Sequence, residues 1–187
     1  MKPEARIPLV PSDTQDPAVK PLFDKVRAKG SEPLNIHRLM ALSPKLYLAN
    51  QGLAQALRYD AQVSRRYREL AILRACHNQG GEYEVLQHVP MAQAAGLSKE
   101  QVEAVPDWKS SGLFDAKERA ILAYVDALPN PKGVDAAAFA EMAKHFPAGE
   151  MLELTITATF YAAAAMMTNA FELQPEPWEG PRVYGTT

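Results

Sequence analysis

Apolar side chains return along this chain at intervals of three and four residues, and the residues between the runs are helix starts and stops rather than strand turns. Val19, Leu22, Phe23 and Val26 mark one face of a segment that opens at Asp16-Pro17, reaches Lys29 and stops at Gly30. Asn35 is expected to cap a short helix ending at Leu42. Ser43-Pro44, a cap followed by proline in the first turn, opens another, with Leu46, Leu53 and Leu57 on its face as far as Tyr59. Ser64 starts a helix that ends near Gln79, where Gly80-Gly81 reverses the chain. Its partner runs from Glu82 to Ala95 and stops at Gly96; Pro90 removes a backbone donor inside it, which predicts a kink. Ser98 to Gln101 has the form of a capping box for a short helix to Val105.

Asp115 then opens a helix with Ile121, Leu122, Val125 and Leu128 on one side, closed by Pro129-Asn130-Pro131, and Asp135 opens the next, to Phe146. A long helix is expected from about Gly149 to Leu173. Within it Leu154 to Phe160 alternates as a strand would, but the surrounding alanines favour helix. The pattern therefore predicts an all-α fold. Residues 1–16, with Pro3, Pro8 and Pro11, are expected to form an extended arm, 17–174 one helical domain and 175–187 an irregular tail.

Composition narrows the function. Lys plus Arg number 20 against 22 for Asp plus Glu, so no basic excess is available for a nucleic-acid backbone. No apolar run in the first 17 residues has the length a signal peptide needs. A single cysteine, Cys76, allows neither an internal disulfide nor a thiolate zinc site. A cytoplasmic location is expected. Leu154 to Phe171 carries no charge, but its threonines, Asn169 and small alanines suit a core or a subunit interface better than a membrane span. His37 and His145 lack acidic or cysteine neighbours at metal-ligand spacing, so no metal is expected. The cluster of Tyr161, Met166 and Met167 reads as core.

The chemistry concentrates in the hairpin from Arg68 to Leu97. Glu69 stands in an apolar stretch, with Leu73 and Cys76 on the same face at plus four and plus seven. Beyond the reversal Glu84 and His88 share a face, and helical rise puts Glu69 at a depth from which it reaches His88, with Glu84 level with Cys76. A carboxylate beside an imidazole in a shared, partly dry hollow is a proton-transfer pair, the acid orienting the ring. The alternative is a pair that merely satisfies itself in the interior. Arg65, Arg66 and Arg68 form a basic group that either pairs with acidic neighbours or gathers anions. Arg74 lies about 140° around the helix from Glu69, which points to a structural or intersubunit partner.

The hairpin resembles the carboxymuconolactone decarboxylase family, the all-helical group that includes alkylhydroperoxidase D, well over about Tyr47 to Val105 and more loosely to residue 128. In that family's peroxidases a glutamate precedes a Cys-x-x-Cys pair, and a histidine follows four residues after the second cysteine. Glu69 and His88 match the glutamate and the histidine, while Gly81 and Glu84 stand at the two cysteine positions. Glu82-Tyr83-Glu84 followed by His88 is the form of the branch without the cysteine pair.

The resemblance implies an alkylhydroperoxidase D-like helical bundle around a central hairpin, a homo-oligomer, and a cofactor-free lyase or related proton-transfer enzyme on a small carboxylated ring compound. Glu69, Glu84 and His88 are the expected catalytic residues, with Tyr83 and Cys76 as substrate contacts. A second reading is a peroxidase using Cys76 and an external thiol. Its position near a helix C-terminus disfavours thiolate there, and no second thiol is present to resolve a sulfenic acid. A third is a non-catalytic ligand-binding or assembly protein. No nucleic-acid or membrane partner is expected.

Overall fold

The computed structural model describes residues 3–176, and everything structural below refers to these. They contain nine α-helices and no strand: α1 Lys20–Arg27, α2 Asn35–Met40, α3 Pro44–Gln55, α4 Arg65–Asn78, α5 Glu82–Ala94, α6 Lys99–Ala104, α7 Ala116–Ala127, α8 Ala136–His145 and α9 Ala148–Ala170. One π-helical turn, Ala56–Asp60, extends α3. The described residues divide into two compact units, one of residues 3–59 with 168–176 and one of 60–167. Of the expected tail, 177–187 lie outside the described residues.

In the first unit Val19, Phe23, Ala41 and Tyr47 bury a small core. The N-terminal segment is tied down: the Arg6 N–H donates to the Phe171 carbonyl, that of Gln174 to the Glu4 carbonyl, both at 2.8 Å, and Arg38 holds the Glu4 carboxylate. The start of α2 differs from expectation. Its cap is Leu34, whose N–H donates to His37 Nδ1 at 3.1 Å, while Asn35 lies inside the helix and its amide donates to the Gln174 carbonyl. Burial and Arg58 lower the His37 pKa to about 4, which keeps Nδ1 free to accept.

In the second unit α4 packs on α5 and α7, and α7 on α8. The shared core includes Leu70, Leu73, Val105, Ile121, Leu122, Met142 and Leu154. Side-chain caps at Ser64, Ser98, Asp115 and Asp135 start four of its helices where the sequence placed them, and Ser98 with Gln101 closes the capping box. α5 runs on through Pro90. Two polar seams cross the unit. Glu118, buried on α7, receives Arg66 of α4 at 2.5 Å and Gln101 of α6 at 3.3 Å. Asp126 receives Arg74 Nε at 2.5 Å and both Asn78 and the Trp108 indole at 3.1 Å, while Arg74 also donates to the carbonyls of Val105 and Pro106. Arg74 is thus a structural tie within its own chain.

α9 passes the length and hydropathy test for a membrane-crossing helix, with 23 residues and mean hydropathy 1.2. Its inner face, Leu154, Ala158, Tyr161 and Ala165, is nevertheless packed into the unit's two apolar clusters. Leu152 and Met166 point outward, so Met166, at 59% exposure, is surface and not the core residue its sequence neighbourhood suggested.

Candidate functional site

Glu69 and His88 meet. The α4 and α5 rods bring Glu69 Oε2 to 2.8 Å from His88 Nδ1, with the residues 0% and 2% exposed. The second carboxylate oxygen, Oε1, accepts from Arg65 Nε at 2.6 Å, one helical turn earlier on α4. Arg65 also reaches the sulfur of Met91 on α5 at 3.5 Å, and its side chain is 32% exposed. Guanidinium, carboxylate and imidazole therefore form a chain leading from the surface inward. Burial pushes the Glu69 carboxyl up, but His88 and Arg65 together outweigh it and hold it below the ordinary range.

The aromatic wall comes from α9. The Tyr161 ring stands edge-on to His88, with ring centroids 4.6 Å apart and planes at 77°. Ile72, Cys76, Tyr161 and Ala165 form one buried apolar cluster. Ile72 takes the place expected for Leu73, which belongs to the main core instead. Cys76 is fully buried, its Sγ 3.8 Å from the Tyr161 carbonyl, and burial with the nearby charges of Glu84 and Glu69 pushes its thiol up. A thiolate is the form this environment opposes.

Of the five residues singled out in the sequence, Glu69 and His88 are in direct contact, and Cys76 lies within electrostatic reach of Glu69 and Glu84. Glu84 is buried in the first turn of α5, where the helix N-terminus favours a carboxylate. Tyr83 is also buried, but one position along α5 turns it about 100° from Glu84 and about 140° from His88. Sequence reasoning missed the roles of Arg65 and Tyr161. The four-residue step from Arg65 to Glu69 was a usable signal, whereas nothing local could pair α9 with the hairpin.

The pair is closed to solvent, with Glu69 and His88 both buried. Two surface hollows of about 230 and 250 Å³ lie elsewhere, one beside Ala75, Leu128 and Ala162 and one beside His77, Val89 and Lys99, and none of Glu69, Glu84 or His88 lines either. The side chains around the pair close over it, so a reagent reaches His88 only when one of them moves. Among the described residues no group of three His, Cys, Asp or Glu side chains is placed to hold a metal ion.

The position of Gly81 explains the missing thiol. A Cβ built there falls inside contact distance of the Ala165 Cβ and 3.3 Å from its Cα, so glycine lets the start of α5 approach α9. Bulk at this first cysteine position would force the two helices apart.

Comparison with known proteins agrees with this fold. Residues 44–127 match the Carboxymuconolactone decarboxylase family. Among solved structures, a protein of unknown function from Agrobacterium tumefaciens, proposed to be the antioxidant defence protein AhpD, is 25% identical; the match covers 75% of this chain and 97% of that one, with a TM-score of 0.70. An uncharacterised peroxidase-related protein with an alkylhydroperoxidase AhpD core, from Ralstonia eutropha, shares the fold at TM-score 0.82 over 95% of both chains with 16% identity. The debrominase Bmp8, in a cysteine-to-alanine variant complexed with 2,3,4-tribromopyrrole, matches at TM-score 0.72 and 20% identity over 90% of this chain and 91% of that one. No curated protein matches the sequence. Residues 44–127 thus match the model of the carboxymuconolactone decarboxylase family, within a chain of alkylhydroperoxidase D-like fold.

Proposed function

We propose that the protein is a cofactor-free proton-transfer enzyme, a decarboxylase-like lyase acting on a small carboxylated ring compound. The observation that carries this reading is the buried 2.8 Å bond between Glu69 and His88. A ring held through Nδ1 by a carboxylate offers Nε2 to a substrate. When carbon dioxide leaves, the electron pair of the broken carbon–carbon bond stays on the ring carbon. The proton on Nε2 of the charged imidazole quenches it, and water then restores the proton. Glu69 orients and stabilises the imidazolium, and Glu84 acts as auxiliary acid or substrate contact. The location in this reading is cytoplasmic and the partner a second copy of the chain, packed through the charge-free α9; neither nucleic acid nor a membrane takes part. Replacing Glu69 by Gln or His88 by Ala should abolish turnover of a carboxylated lactone or similar ring acid while the helical circular dichroism persists. Turnover retained in both variants rejects the assignment.

A second reading, a non-catalytic binding or assembly protein, is favoured by one fact: the pair is closed off from solvent. There Glu69 and His88 satisfy each other and nothing more. The same two variants separate the readings, because a purely structural pair predicts loss of stability with no activity to lose. The peroxidase reading gains nothing from a fully buried sulfur whose thiol is pushed up. Absence of peroxide-dependent sulfenic acid at Cys76 would dispose of it, and peroxide consumption lost on Cys76→Ser would restore it.

A further inference from the structure

The least expected member of the site is Arg65. Both oxygens of Glu69 are spoken for, Oε1 by Arg65 and Oε2 by His88, and the carboxylate itself has no exposed surface. An ionised carboxylate in such a place is stable only with opposite charge or donors in contact. The imidazole supplies one donor, but in its neutral form it supplies no charge. Arg65 supplies both, from a position where solvent still hydrates part of the guanidinium.

Protonation of Glu69 would change which ring nitrogen is usable. An ionised Glu69 can only accept, so the hydrogen between it and the ring must sit on His88 Nδ1, and Nε2 is the atom that takes up and releases protons. A protonated Glu69 can donate to Nδ1 instead, which places the ring hydrogen on Nε2 and leaves the carboxyl as the group that titrates. We infer that Arg65 is a positioning residue: by holding Oε1 it keeps Glu69 ionised, fixes the hydrogen on His88 Nδ1 and so assigns proton exchange to Nε2. This rests on the proposed use of the pair for proton transfer and adds a residue that touches neither the ring nor a substrate.

Other titratable and charged groups also lie near the pair. From α4, Arg68 is buried beside Arg65, with Glu69 and Glu153 among its charged neighbours. From α4 and α5, Cys76 is held as the neutral thiol and Glu84 is a second acid. From α9, Tyr161 presents its ring to His88, and Glu153 binds the backbone N–H groups of Gln62 and Val63. Arg65 Nε donates to the Glu69 carboxylate at 2.6 Å.

The test uses the full chain labelled with carbon-13 and nitrogen-15, with the carboxyl signal of Glu69 and the ring nitrogens of His88 observed at neutral pH. Arg65→Gln should make the Glu69 carboxyl take up a proton, with the ring hydrogen moving to His88 Nε2; a doubly protonated ring beside a still-ionised Glu69 overturns the role of Arg65. The protonated fraction should rise about tenfold or more, the size expected when a cation in contact with a carboxylate is lost. Arg65→Lys should return the signals toward wild type, which a packing role would not require. Unchanged signals in Arg65→Gln, together with ring signals that do move in Glu69→Gln, overturn the role of Arg65 and leave the pair intact. Ring signals that move in neither variant mean that Glu69 and His88 are not bonded, and the proposed function fails with them. Melting curves of Arg65→Lys and Arg65→Gln confirm that folded protein is being compared.

Discussion

Two arginine–carboxylate contacts made by α4, Arg74 with Asp126 and Arg65 with Glu69, have bond lengths of 2.5 and 2.6 Å and opposite consequences. Asp126 is saturated by fixed donors, namely Arg74, Asn78 and Trp108, and Arg74 is itself bound to two carbonyls of the loop before α7. None of these donors exchanges a proton near neutral pH, so the seam can only hold α4, that loop and α7 together. Glu69 gives its second oxygen to an imidazole, the side chain whose ordinary range does lie near neutrality. What separates the two contacts is the partner at the far end of the carboxylate rather than the ion pair.

The strongest way to break the contrast is at the imidazole end. His88→Ala and Glu69→Gln should lower turnover by about 10²–10⁴-fold, the usual worth of a positioned acid or base, in a steady-state assay of ring-acid decarboxylation. Asp126→Ala should do the reverse, leaving chemistry in the folded fraction intact. It should cost about 3 kcal/mol in urea unfolding, because Arg74 is left with its charge largely buried. Gly81→Ala comes next, at about 1–3 kcal/mol for forcing α5 away from α9, read as a shift in denaturation midpoint without a change in slope.

Acid sharpens the comparison more gently. Burial raises the Asp126 carboxyl, but Arg74, Asn78 and Trp108 together hold it below its usual value, and Glu69 is held down by His88 and Arg65 against its own burial. A carboxyl lower in the folded than in the unfolded chain stabilises above its unfolded value, and that stability drains away as pH falls through the folded one. Asp126→Asn should therefore flatten the acid limb of a stability–pH curve, measured by chemical unfolding at a series of pH values. An unchanged limb would mean that the seam carries less of the fold than its bonds suggest.

What could be read from the sequence follows from how local each interaction is. Ser64, Ser98, Asp115 and Asp135 cap helices through bonds spanning two or three residues, so their roles were legible. The Glu69–His88 contact spans 19 residues but was legible too, because a glycine reversal fixes the depth of each rod. Asn35 misled because the helix begins one residue earlier, with Leu34 as its cap, and the asparagine amide is used on the Gln174 carbonyl instead. Leu73 went to the main core and Ile72, about 100° around the helix, to the α9 cluster because what packs against each side of α4 decides the matter, and that is not written in the spacing. The edge-on ring of Tyr161, 73 positions beyond His88, had no local trace at all.

The close approach at Gly81 sets a limit on what this scaffold can become. Converting it to thiol chemistry is a problem of spacing before it is one of reactivity. A sulfur-bearing side chain at that turn needs room that Ala165 already occupies, and Cys76, one turn back on the neighbouring rod, is sealed from any oxidant in bulk water. An engineer seeking a disulfide-forming catalyst would have to move the last long rod outward first, and only then mutate.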